Sequence, residues 1–163
     1  MLYFAYGSNM STSRLRARVP SAQCVGVAEL AGHRLEFHKV GMDGSAKCDA
    51  SGTGSDDDVV IGVVFRIDER EKPLLDEFEG LGRGYREKQV SVLARSEERL
   101  DAFTYCATWI DDSLRPFDWY RQHVLRGAAE HGLPDPYVRR IMAIGSVSDP
   151  DMARSATETA MYR

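Results

Sequence analysis

The chain has 163 residues, of which 43% are hydrophobic and 28% charged, with a formal net charge of −4. That length fits one domain, residues 1–163, able to bury roughly 70% of the surface of its extended form and to enclose a pocket. The negative charge is small and spread along the sequence, which excludes the basic footprint of a nucleic-acid binder.

The N-terminus lacks the basic head and long apolar stretch of a signal peptide, and no apolar run reaches about 18 residues, so neither export nor a membrane span is expected. Cys24, Cys48 and Cys106 show no CxxC spacing, and their odd number leaves no complete internal disulfide set, consistent with a cytoplasmic protein.

In chain order, Leu2 to Tyr6 is an aromatic and apolar run suited to a buried strand, and it stops at Gly7-Ser8-Asn9. Ser11 to Ser13 can cap a short helix through Val19, which Pro20 closes. Strands are expected over Cys24–Leu30 and Leu35–Lys39, joined near Gly32, and the Gly-, Ser- and Asp-rich stretch Gly41–Asp58 reads as a mobile acidic loop. The β-branched run Val59–Phe65 predicts a strand buried on both faces.

Leu74, Leu75 and Phe78 recur at helical spacing between Pro73 and Glu79, with Gly80 as the C-terminal stop. A hairpin is predicted over Arg86–Ala94 and Leu100–Trp109. Phe117, Tyr120, Val124 and Ala128 form one helical stripe ending at Gly132, and a second helix starts after Asp135-Pro136. The segment Ser146–Arg163 is polar and weakly patterned, and reads as a surface tail. Strands and helices interleave without a regular βαβ rhythm, so the class is α+β with a mixed sheet.

Several chemistries find no support. His33, His38, His123 and His131 form no HxH or HxxxH metal pair, neither GxGxxG nor GxxxxGK[ST] occurs, and no GxSxG elbow is present. Cys106 lies inside an apolar strand pattern, as a structural cysteine would.

Two segments carry more information. In Tyr6-Gly7-Ser8-Asn9, a glycine at a strand end lets backbone approach a ligand, and consecutive amides beside a helix start can hold a carboxylate or oxyanion. Glu79 falls at a helix C-terminus, whose partial negative charge disfavours an ionised carboxylate and thereby suits proton exchange.

Tyr3-Phe4-Ala5-Tyr6-Gly7-Ser8-Asn9 resembles the YFAYGSN signature that opens the γ-glutamylcyclotransferases. Leu75 to Gly80 is similar to that family's LDxxEG pattern, and Trp119-Tyr120 through Gly132-Leu133-Pro134 is similar to its Y…GLP region. The resemblance implies a small mixed β-barrel flanked by helices and a reaction that closes a γ-glutamyl group into 5-oxoproline, releasing an amine without metal or cofactor. It implies Glu79 as the catalytic residue, Tyr6, Gly7, Ser8 and Asn9 as the substrate loop, and Tyr120 as the hydroxyl that reaches the γ-glutamyl group. Tyr85 matches an aromatic position of the family more loosely.

The implied partner is a small-molecule substrate, with neither nucleic acid nor membrane, on a monomer or homodimer. Gly41–Asp58 and the tail after Gly145 match nothing in the pattern, and glutathione-specific relatives carry a hydrophobic residue where this chain has Asn9. Two other readings use the same pocket. One is a non-catalytic module that binds a small carboxylate; the other is a cyclotransferase that removes a γ-glutamyl protecting group during biosynthesis.

Overall fold

The apolar runs become the staves of a closed barrel in the computed structural model, which describes residues 1–162. Seven strands are present: β1 (Leu2–Ala5), β2 (Gln23–Ala31), β3 (His33–Val40), β4 (Ala46–Gly52), β5 (Val59–Arg66), β6 (Tyr85–Ala94) and β7 (Arg99–Ala107). The barrel order is β1-β5-β2-β6-β7. β1 runs antiparallel to β5, from Leu2 opposite Arg66 to Ala5 opposite Val63, and parallel to β7 where Tyr3 meets Phe103. That parallel contact closes the barrel and makes it mixed, in agreement with the α+β expectation.

Val60 to Phe65 of β5 are all buried or glycine in a buried setting, as a strand covered on both faces must be. Part of the outer cover is His131, whose ring meets Phe65 edge-on at 5.8 Å between centroids.

The stretch 41–58 is not one mobile loop. Its middle is β4, paired antiparallel to β3 from Val40 opposite Ala46 to His33 opposite Gly52 in a separate two-stranded sheet. The small buried residues Ala46, Cys48 and Ala50 alternate along it, and the buried Asp49 accepts from the Ala107 amide (2.7 Å) and pairs with His38 Nε2 (3.0 Å). A satisfied buried acid costs little, so acidic composition here does not mean exposure.

Among the described residues, five α-helices flank the sheets: α1 (Thr12–Arg18), α2 (Lys72–Glu79), α3 (Asp118–Glu130), α4 (Asp135–Met142) and α5 (Met152–Ala160). α2 stops at Gly80, whose φ of +70° is the left-handed cap conformation that glycine adopts without strain. The stripe expected on α3 is present, with Tyr120, Val124 and Ala128 buried.

The tail is more than surface chain. α5 is tied down by Glu158, which pairs with Arg14 (2.6 Å) and His123 (2.8 Å), and the preceding Asp149 accepts from Trp119 Nε1 (2.8 Å) and binds Arg154. Its anchors are charged rather than apolar, so a search for hydrophobic periodicity passes over them.

Candidate active site

β1 delivers the chain to the barrel rim, where Tyr6 and Gly7 lead into a single 3₁₀ turn, Ser8–Met10, and then into α1. α2 ends at the same rim and presents Glu79 as its last residue. The two segments meet through side chains. Asn9 Nδ2 donates to Glu79 Oε1 at 2.7 Å, while Arg18 Nη1 donates to Glu79 Oε1 at 3.1 Å and to Asn9 Oδ1 at 3.0 Å. Asn9 Nδ2 also reaches the Tyr3 hydroxyl at 3.2 Å. The Asn9 amide therefore has a donor on one side and an acceptor on the other, which fixes its orientation. Arg18 supplies the counter-charge that a mostly buried carboxylate requires, the two side chains being 18% and 16% exposed.

Glu79 stands where two spaces join. An outer chamber of about 280 Å³ opens between the α2 terminus, α3 and the β3–β4 turn, and an inner recess of about 20 Å³ runs back toward the barrel. Ser8, Glu79, Tyr85 and Tyr120 line both. The recess has room for one water or one oxygen atom. Tyr6, Gly7 and Asn9 line it too, so every residue of the expected site converges on one cleft. The backbone amides of Gly7, Ser8 and Asn9 find no backbone acceptor among the described residues.

Gly7 packs closely, since a methyl group there would lie 3.0 Å from Cys48 Cβ and 3.4 Å from the Tyr120 hydroxyl, and those neighbours would have to give by a few tenths of an ångström. The tyrosines are engaged with backbone. Tyr120 Oη accepts from the Cys48 amide at 3.0 Å, Tyr85 Oη donates to the Cys48 carbonyl, and Tyr6 Oη donates to the Tyr105 carbonyl. What Tyr6 offers the recess is thus its ring and backbone. Burial pushes the hydroxyls of Tyr6, Tyr85 and Tyr120 well above the ordinary tyrosine value, so they stay neutral and act as hydrogen-bonding groups rather than bases. Burial likewise pushes the Cys48 thiol up to about 12, which rules it out as a thiolate nucleophile near neutral pH.

Sequence reasoning missed Arg18, Tyr3 and the Cys48 backbone. A signal for Arg18 was available: Arg14 and Arg18 stand four apart on α1 and share a face, whereas Arg16 turns away to bind the Ala22 carbonyl.

A family model described as the AIG2-like family matches residues 59–141. A gamma-glutamylcyclotransferase of Mus musculus is 34% identical over 158 residues, spanning 91% of this chain and 84% of the mouse protein. The Homo sapiens gamma-glutamylcyclotransferase is 33% identical over 153 residues, spanning 88% of this chain and 78% of the human protein. The chain belongs to the γ-glutamylcyclotransferase family. A solved gamma-glutamyl cyclotransferase structure superposes with a TM-score of 0.89 at 28% identity, covering 99% of this chain and 98% of that one. In this γ-glutamylcyclotransferase chain, two of the three motifs that carry the resemblance are joined directly by the hydrogen bond between Asn9 and Glu79.

Proposed function

We propose that the protein converts γ-glutamyl amino acids or amines into 5-oxoproline and the free amine, with Glu79 passing the protons. One observation carries the assignment. Both anchors of Glu79, Asn9 and Arg18, hold Oε1, which leaves Oε2 of a residue lining both chambers free to meet a substrate.

The substrate's α-amine arrives protonated, since α-amino groups titrate near about 8. Glu79 removes one proton, and the freed nitrogen attacks the γ-carbonyl carbon to close a five-membered ring. The carbonyl oxygen becomes an oxyanion, for which the amides of Gly7 and Ser8, with no backbone acceptor among the described residues, are suitable donors, each worth on the order of 3 kcal/mol in comparable sites. Collapse of that oxyanion breaks the bond to the departing nitrogen, which takes the proton back from Glu79. The ring nitrogen sheds its second proton as the lactam forms, and the released amine is protonated in water.

The reaction is intramolecular, so much of the pocket's work is to hold the chain folded with amine and carbonyl in contact. Tyr120, at the mouth of the recess, is suited to this positioning.

The test is to incubate the purified protein with γ-glutamyl amino acids, γ-glutamylamines and glutathione and to follow 5-oxoproline by mass spectrometry. Release that disappears in Glu79→Gln, with 5-oxoproline binding retained, supports the reading. Undiminished release by Glu79→Gln removes Glu79 from the mechanism.

A further inference from the structure

Lys39 lies near the end of β3 and is only 6% exposed. Its ammonium sits 4.6 Å from the centre of the Tyr85 ring and lines the outer chamber. Gly84 leaves it the space, since a methyl group there would lie 2.9 Å from Lys39 Cε and 3.1 Å from Nζ.

The other buried cations of the chamber are paired. Arg14 has Glu158 at 2.6 Å, Arg18 has Glu79 at 3.1 Å, and Lys47 has Asp43 at 2.7 Å. Lys39 Nζ has no hydrogen-bond acceptor, and no carboxylate within 4.0 Å, among the described residues. Burial pulls its proton affinity below the ordinary lysine value, and Glu79 and Asp43 act against that pull. The aromatic face compensates the charge only in part. A largely buried cation without a partner costs stability, and Lys39 lines the cleft that holds Glu79.

We infer that Lys39 is a carboxylate-binding residue of this cleft, its ammonium pairing with a carboxylate of the bound γ-glutamyl substrate. The inference rests on the cyclotransferase reading for the identity of the ligand. Two carboxylates have the required chemistry: the one on the γ-glutamyl group itself, and the one on a leaving amino acid. Three ligands separate them. γ-Glutamylalanine carries both carboxylates, γ-glutamylethylamine lacks the one on the leaving side, and 5-oxoproline retains only the γ-glutamyl one.

The experiment measures equilibrium binding of each ligand by calorimetry with Lys39 intact, Lys39→Met and Lys39→Arg, each in the Glu79→Gln background so that no ligand is consumed, beside turnover and thermal unfolding of the same three forms with Glu79 present. Lys39→Met is expected to bind γ-glutamylalanine about tenfold or more weakly, with partial recovery in Lys39→Arg, as loss of a charge-assisted contact requires. The melting temperature of Lys39→Met should stay level or rise, because the variant removes an uncompensated buried charge. If 5-oxoproline and γ-glutamylethylamine bind unchanged, the leaving amino acid supplies the carboxylate. If all three weaken alike, the γ-glutamyl group supplies it.

Binding of all three within about twofold of the form with Lys39 intact overturns the inference, as does a fall in kcat with binding intact. Binding needs no turnover, so the two readings fail separately. Lys39-dependent binding without 5-oxoproline release sinks the reaction, and release with Lys39-independent binding sinks this residue's role.

Discussion

The Arg18 guanidinium holds Glu79 and Asn9 with the same nitrogen, Nη1, at 3.1 Å from the carboxylate and 3.0 Å from the amide oxygen. One side chain thereby sets the carboxylate's position and the amide's orientation together. Arg18→Met removes one partner of a mostly buried ion pair, a change that costs about 3 kcal/mol in comparable settings. We expect a clear fall in melting temperature and a kcat lowered about tenfold or more, since Glu79 would lose one of its two anchors. A variant with wild-type kcat would show that Asn9 alone suffices to hold the carboxylate.

Tyr120→Phe separates structure from substrate contact. The phenol oxygen is the acceptor for the buried Cys48 amide, and an unsatisfied buried donor costs about 1–3 kcal/mol. Destabilisation of that size is expected whether or not the hydroxyl touches substrate. A substrate role adds a higher KM for γ-glutamyl conjugates, so lower stability at unchanged KM would confine Tyr120 to supporting β4.

Much of this arrangement was legible in the sequence because it rests on local rules. The β-branched run before Arg66 marked β5, Gly80 marked the end of α2 and hence the position of Glu79, and the stripe through Tyr120 marked α3. What was missed is held by long-range polar contacts, which leave no period. β4 looked like a loop because its buried acid, Asp49, finds partners on β3 and β7. α5 looked like a tail because Glu158 binds residues 144 and 35 positions away in sequence. Lys39 has nothing in its local sequence to set it apart from Lys47, Lys72 and Lys88 until the fold buries it.

The α5 anchor predicts acid sensitivity. The contact with His123, aided by Arg14, holds the Glu158 carboxyl at about 2, below its ordinary value of 4.5. A carboxyl depressed on folding stabilises fully above pH 4.5 and loses that contribution as the pH falls toward 2. Burial lowers the His123 proton affinity, so its charging on unfolding erodes stability in the same direction. Glu158→Gln should therefore be less stable than wild type at neutral pH, with a difference that narrows steadily on acidification. Parallel stability curves from pH 7 to pH 3 would mean that Glu158 does not hold α5 through its charge.

Packing of α3 against the Ser8–Met10 turn gives the last prediction. A methyl group at Gly127 would lie 2.5 Å from Met10 Cβ and 2.6 Å from the Ser11 amide nitrogen, too close for any neighbour to accommodate without moving backbone. Gly127→Ala improves helix propensity, by about 1 kcal/mol, yet overpacking of this kind costs about 1–3 kcal/mol. The displaced segment is the turn that carries Asn9, so the Asn9–Glu79 hydrogen bond of 2.7 Å should lengthen with it. We expect lower kcat together with a net destabilisation of up to about 2 kcal/mol, because a clash with backbone outweighs the gain in propensity. Full activity in Gly127→Ala would show that the loop moves as a unit with α2, keeping Asn9 on Glu79 while both shift away from α3.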